Sequence, residues 1–200
     1  MNKLGDELLK IILITALVGG IVFFWASLQG CAKPIEVPEN ERILYDKLPI
    51  SVQKFYDYCL KHRYNVDLKD SAEIVSVCRN FVPYMANGRY TPLDVMAIIM
   101  TESKFDKSTI GSKKEVGLCQ ILTPELYLHF LGEKELDKAF DIRNNIILCC
   151  LVLNIKFFHF ETYKDSLAAY NSIGNYKYYK EVKKNKKILK LFFDDTLEEV

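Results

Sequence analysis

The run Val95-Met96-Ala97-Ile98-Ile99-Met100 is apolar on nearly every face of a helix, so whatever this chain folds into must bury that helix from all sides. Thr91-Pro92-Leu93-Asp94 supplies its start. Thr91 can cap, Pro92 fits the first turn, and Asp94 is favoured near the positive end of the helix dipole. Polarity returns only at Thr101 and Glu102. A carboxyl group at that point has apolar walls beside it and lies near the negative end of the helix, and both effects disfavour its charged form. A raised pKa is what a general acid needs at neutral pH, which makes Glu102 the candidate catalytic acid. The plainer reading is a solvated glutamate at a helix end.

The residues that follow decide between the two. The chain reads Glu102-Ser103, Phe105, then Gly117-Leu118-Cys119-Gln120-Ile121; farther on come Asp141-Ile142-Arg143-Asn144-Asn145-Ile146 and Leu167-Ala168-Ala169-Tyr170-Asn171. In this order they resemble the motifs of the soluble lytic transglycosylases, lysozyme-like enzymes that cleave bacterial peptidoglycan. That family shows Glu-Ser with an aromatic two residues on, Gly-Leu-Met-Gln, an Asp...Asn-Ile helix start, and Ala-Tyr-Asn. The interval from the glutamate to the glycine agrees without a gap, and the resemblance covers about residues 85 to 180. Singly these motifs are short enough to match by chance; together they are specific. The chain departs from the pattern at several places. Gly111 stands where a serine usually lies near the substrate, with Ser112 adjacent. Lys114-Glu115 replaces Gly-Ala, Cys119 replaces Met, Cys149 replaces a helix glycine, and Ile173 stands where a glycine usually follows Tyr-Asn.

The resemblance implies a reaction that needs one carboxyl group where ordinary glycosidases use two. Glu102 would protonate the glycosidic oxygen between N-acetylmuramic acid and N-acetylglucosamine, while the substrate's own acetamido group relieves the charge at C1. The resulting carboxylate would then take the proton of the muramyl C6 hydroxyl as that oxygen closes a 1,6-anhydro ring. Such a lyase reaction needs no water, no cofactor and no metal. Tyr170 would hold Glu102, Gln120 and Asn171 would contact the sugar amides, and Ser103, Ser112 and Leu122 complete the expected substrate-binding set. From the residues alone, Tyr170 and Asn171 are equally well read as a core aromatic and a capping Asn at a helix end.

Two hundred residues, half of them hydrophobic, suit one modest domain behind a membrane segment. Ile11 to Ala32 carries no charge, and Ile11 to Leu28 is long and apolar enough to cross a bilayer. Residues 1–32 are therefore expected to be a signal or a membrane anchor. Leu28-Gln29-Gly30-Cys31 resembles a bacterial lipobox, which would make Cys31 a lipidation site, yet Asp6 and Glu7 offset Lys3 and Lys10 in the leading segment. Lipoprotein, uncleaved anchor and plain cleaved signal all stay open. Peptidoglycan lies outside the cytoplasmic membrane, so residues 33 to 200 are expected in the periplasm or cell envelope. The expected partners are glycan strands and, through the N-terminal segment, the membrane; wall growth, a secretion apparatus or a phage could each employ such a protein.

Pro34, Pro38 and Pro49 predict that residues 33–50 form a tether without a helix. A mainly helical, lysozyme-like domain is expected over 51–191, followed by an acidic tail over 192–200. Its predicted helices run from about Ser51 to Arg63, and from Asp70 to Met85 with Asp70 and Glu73 as a capping box. Others start at Pro92 and Thr123-Pro124 and cover about Asn144 to Tyr163, Asp165 to Asn171 and Tyr176 to Leu191. At most a small hairpin is expected between Phe105 and Val116.

The six cysteines have no paired spacing, and His62, His129 and His159 form no ligand pattern with them, so no metal site is expected. Cys59, Cys78, Cys149 and Cys150 read as buried thiols, and Cys119 lacks a neighbouring base. With 27 basic and 26 acidic residues, net charge gives no reason to expect nucleic-acid binding. The basic run Lys183 to Lys187 reads as a solvated helix face, with anionic polymer or lipid as the alternative. Tyr176, Tyr178 and Tyr179 are candidates for sugar stacking. Two other functions are compatible with these residues. One is a hydrolase in which Glu115, Asp106 or Glu161 activates water, and the other a binding or assembly protein that keeps the fold without turnover.

Overall fold

The computed structural model describes residue 37 and residues 39–193 of the chain. The expected membrane or signal segment, Cys31 within it, and the acidic residues from 194 onward lie outside the described residues.

The catalytic-helix candidate forms as its sequence dictates. Helix α4 spans Pro92–Glu102; Thr91 and Asp94 close a reciprocal capping box at its start, and every residue from Pro92 to Met100 is buried. The helices before it are α1 Glu39–Tyr45, α2 Ile50–Lys61 and α3 Leu68–Met85. After it come α5 Pro124–Leu131, a 3-10 turn over Leu136–Phe140, α6 Ile142–Phe160, α7 Tyr163–Asn171 and α8 Tyr176–Leu189. Helix α4 packs most extensively on α8 and also on α3, α3 lies on α6, and α7 bridges α6 and α8. The apolar helix is thereby wrapped by amphipathic ones.

Each partner helix turns one stripe inward. Helix α8, YKYYKEVKKNKKIL, is polar in composition, yet Tyr178, Val182 and Leu189 recur at helical spacing and are buried. Between them Lys186 ion-pairs with Asp94 at 2.9 Å, and Tyr163 donates a hydrogen bond to the same carboxylate at 2.6 Å. Asp94 thus caps α4 and ties it to α7 and α8. Helix α6 is long and apolar enough to cross a membrane by length and composition. Its first half, including Asn145, Ile146, Leu148, Cys149 and Cys150, is instead buried in the domain core.

Helix ends depart from the sequence expectations where a different residue caps. Helix α3 begins at Leu68 because Asp67, not Asp70, is its cap, accepting the Asp70 N–H at 2.7 Å. Asp70 pairs with Lys107 instead, at 2.7 Å. Helix α6 begins two residues earlier than expected, with Asp141 accepting the Asn144 N–H at 2.9 Å. The expected helix-free tether is corrected by α1, which forms between Pro38 and Pro49. Its Glu41 accepts a hydrogen bond from Tyr56, and its Tyr45 donates to Asp57 at 2.9 Å, so tertiary contacts to α2 hold a segment too short to be helical alone. Phe192 and Phe193, expected at the head of the acidic tail, pack on Tyr58 and Phe55 with ring centroids 5.0 and 5.9 Å apart. In place of a hairpin, single antiparallel bridges pair Ile110 with Val116 and Val116 with Ile121.

Candidate active site

The turn after α4 sets where Glu102 points. Lys104 and Phe105 both have positive φ, 53° and 68°, an unfavourable conformation for side chains with a Cβ. Burial of Phe105 against Phe55, edge to face at 4.9 Å, offsets that cost and anchors the turn. This explains an aromatic two residues beyond Glu-Ser. Ser103 ends the helix: it is buried and its hydroxyl donates to the Ile99 carbonyl at 3.3 Å, so it faces its own helix instead of the expected substrate.

Facing Glu102 is the loop that carries Gly117 to Gln120. Gly117 has a φ of +75°, and a Cβ there would lie 2.2 Å from Asn145 Nδ2. Asn145 is fully buried and accounts for the close approach. Its Oδ1 accepts the Cys119 N–H at 2.8 Å, and its Nδ2 donates to the carbonyls of Val116 and Ala139 at 3.1 and 2.7 Å. The Gly-Leu-Cys-Gln and Asn-Ile motifs are two halves of one clamp. Gln120, at φ +48°, donates its amide to the carbonyls of Thr109 and Gly117, at 3.0 and 2.8 Å. Its Oε1 remains as an acceptor on the cavity wall.

These elements enclose a cavity of about 370 Å³ whose wall includes Glu102, Gln120, Leu122, Tyr170 and Asn171. Ser112, Lys113 and Glu115 contribute from the loop, and Val152 and Lys156 from α6. A second cavity, of about 290 Å³, shares Glu102 and Asn171 and extends toward Thr101, Asn175, Lys177 and Glu181. Glu102 therefore stands where two cavities meet. Of the expected site residues, Glu102, Ser112, Gln120, Leu122, Tyr170 and Asn171 come together, Ser103 faces its own helix, and Cys31 lies outside the described residues.

Burial pushes the Glu102 carboxyl up to about 7, and the charges of Glu115 and Glu181 push the same way, against the lowering effect of the nearby Tyr178 hydroxyl. The Glu102 charge acts on two phenols, Tyr178 and Tyr170. The Tyr170 hydroxyl donates to the Cys119 carbonyl at 2.9 Å and contacts Cys149 Sγ at 3.4 Å. Its ring stacks on Tyr178 at 6.2 Å, with the planes 8° apart. Tyr178 is buried, its Oη makes no hydrogen bond of regular geometry to another group, and its pKa is raised by burial and by the Glu102 charge. The helical spacing of Tyr178 and Val182 is the signal that places Tyr178 inward on α8, away from the stacking role expected of it.

The departure at Gly111 has a local reason. A Cβ there would meet Glu115 Oε2 at 2.4 Å and Gln120 Oε1 at 2.7 Å, and the Glu115 carboxylate also accepts the Lys113 N–H at 2.8 Å. Glu115 therefore occupies the space a residue 111 side chain would take. Of the three acids considered for activating water, Glu115 alone lines the cavity with Glu102. Asp106 is engaged by Asn65 and Ser108, and Glu161 caps α6. Among the described residues no three His, Cys, Asp or Glu side chains converge as a metal set.

Fold and site together define a lysozyme-like helical domain with a half-buried acid, Glu102, at a polar groove. The family model of the transglycosylase SLT domain matches residues 83–192, more than half of the chain, and the chain belongs to that family, which acts on peptidoglycan. Neither the curated proteins nor the solved structures contain a significant match.

Proposed function

We propose that this protein is a peptidoglycan lytic transglycosylase that cleaves the β-1,4 bond between N-acetylmuramic acid and N-acetylglucosamine and leaves a 1,6-anhydromuramyl end. The observation that carries the proposal is Glu102 itself. It is a carboxyl group raised to about 7 at the meeting point of two polar cavities, so near neutral pH it can both give and take a proton. Protonated Glu102 gives its proton to the glycosidic oxygen, and the N-acetylglucosamine side leaves as an alcohol. The substrate acetamido oxygen meets the positive charge at C1. The C6 oxygen then bonds to C1, its proton passes to the Glu102 carboxylate, and the acid is restored.

The chain's own groups fit supporting roles. Tyr178 hydrogen-bonds the carboxylate between the two proton transfers, when its charge is greatest. Gln120 Oε1 and the Asn171 amide supply an acceptor and a donor for the sugar acetamido groups. Leu122, half exposed on the cavity wall, offers an apolar surface to a sugar face. The domain works outside the cytoplasmic membrane, held there by residues 11–31 or by a lipid on Cys31, where secretion or wall-assembly proteins are its natural partners.

Glu115 supports a second reading, hydrolysis, because it brings another carboxylate to the same cavity. Its engagement by the Lys113 N–H favours a structural role. Digestion of purified peptidoglycan by the full-length protein in detergent, followed by mass analysis of the fragments, separates the two. Anhydromuramyl ends that vanish in Glu102→Gln support the transglycosylase. Reducing muramyl ends would favour hydrolysis, and no products would leave a binding protein.

A further inference from the structure

Helix α6 carries only two full charges, Arg143 and Lys156. Arg143 lies over the Phe81 ring at 4.6 Å. Lys156, one helical turn after Val152, is half-buried on the wall of the cavity that holds Glu102, Tyr170 and Asn171. It has no ion pair among the described residues, where the basic side chains of Lys107 and Lys186 do. Nor does the cavity supply a close one. Burial raises the Glu102 pKa to about 7, so near neutral pH it is charged only part of the time, and Glu115 accepts from the Lys113 backbone. A lysine on a cavity wall with no ion pair is free to receive an anion that enters the cavity.

We propose that Lys156 is a specificity residue that receives a carboxylate of the substrate, which rests on the peptidoglycan reading of the site. Of the two sugars in the glycan, only the muramyl residue carries an acid. Its 3-O-lactyl group ends in a free carboxylate where the peptide has been removed, and in an amide to an acid-bearing peptide where it has not. N-acetylglucosamine has neither. Lys156 would thus tell a muramyl from a glucosaminyl residue beside Glu102 and favour one register of the strand in the groove. The same cavity also carries Gln120 and Asn171, whose neutral amide groups suit acetamido contacts.

The experiment measures binding by the full-length Glu102→Gln protein, with and without Lys156→Gln or Lys156→Arg, to three soluble probes. These are a neutral N-acetylglucosamine tetramer, a peptide-free muramyl tetrasaccharide and its peptide-bearing form. One charge-assisted contact predicts that Lys156→Gln weakens the acid-bearing probes by about tenfold or more and leaves the neutral tetramer unchanged. Lys156→Arg should retain most of the affinity, and raising the salt concentration should narrow the difference. A loss confined to the peptide-free probe assigns the lactyl carboxylate, and a loss confined to the peptide-bearing one assigns a peptide acid. Equal losses for all three probes, or none for any, would overturn the proposal. Turnover by the wild-type protein is scored separately. Turnover without charge discrimination removes the role of Lys156 alone, whereas discrimination without turnover removes the reaction and keeps the Lys156 contact.

Discussion

Asn145 Nδ2 occupies the position that a side chain on Gly117 would need, 2.2 Å from an ideal Cβ. One buried amide therefore fixes the loop that faces Glu102, and the glycine is what lets the amide in.

Gly117→Ala should consequently be among the most damaging small changes available to this chain. It puts a Cβ at φ +75° and into a satisfied buried amide, so the expected loss is about 2–4 kcal/mol from strain and broken hydrogen bonds combined. Asn145→Ala should cost a similar amount, because it removes the partner of the Cys119 N–H and a donor to the Val116 and Ala139 carbonyls, of which Val116 keeps the Ile121 N–H. Urea unfolding of the single and double variants checks the pairing: the double variant should lose much less than the sum of the two.

The buried pair of Asp94 and Lys186 yields a second prediction. Asp94→Ala removes a helix cap and leaves the Lys186 ammonium 20% exposed and unpaired, so a loss of about 3–5 kcal/mol is expected. Asp94→Leu combined with Lys186→Met should recover part of it. If thermal unfolding shows the single variant to be as stable as wild type, the ion pair does not hold α4 to α8.

Much of this was legible in the sequence. The unbroken apolar stretch of α4, its Thr91 and Asp94 start, and the acid at its end were readable because helix periodicity, capping chemistry and polarity all agree there. The Tyr170–Tyr178 stack and the approach of Tyr178 to Glu102 were not, since they join residues from different helices, and the spacing of Tyr178 with Val182 marks an inward ring without saying what that ring meets. Helix α1 was hidden for the same reason, its support coming from Tyr56 and Asp57 on α2. The space that Glu115 fills beside Gly111 needed backbone geometry that no motif encodes.

The Glu102 carboxyl titrates near 7 in the folded protein against an ordinary value of 4.5, so the folded state binds a proton that the unfolded state releases earlier. Any stability tied to that proton is fully present below pH 4.5 and is lost as the pH rises through 7. Glu102→Gln should then be more stable than wild type at pH 8, by up to about 3 kcal/mol, with the gain disappearing near pH 4. Equal unfolding midpoints for the two proteins at pH 8 would argue against a strained carboxylate.

On the proposed reaction the same carboxyl sets the pH dependence of activity. A general acid works only while protonated, so the rate should fall as the pH rises through about 7. Tyr178→Phe removes a contact that lowers the Glu102 pKa and should move the falling limb to higher pH. Glu115→Gln removes a charge that raises it and should move the limb lower. A profile that moves in the opposite direction in either variant would contradict these assignments.

The most direct test of the central claim is digestion of peptidoglycan in water enriched in oxygen-18. If Glu102 returns the proton while the muramyl C6 oxygen attacks C1, the new muramyl ends carry no label, and their formation ceases in Glu102→Gln. Incorporation of one oxygen-18 at each new muramyl C1 would show that water is the nucleophile and would contradict the transglycosylase.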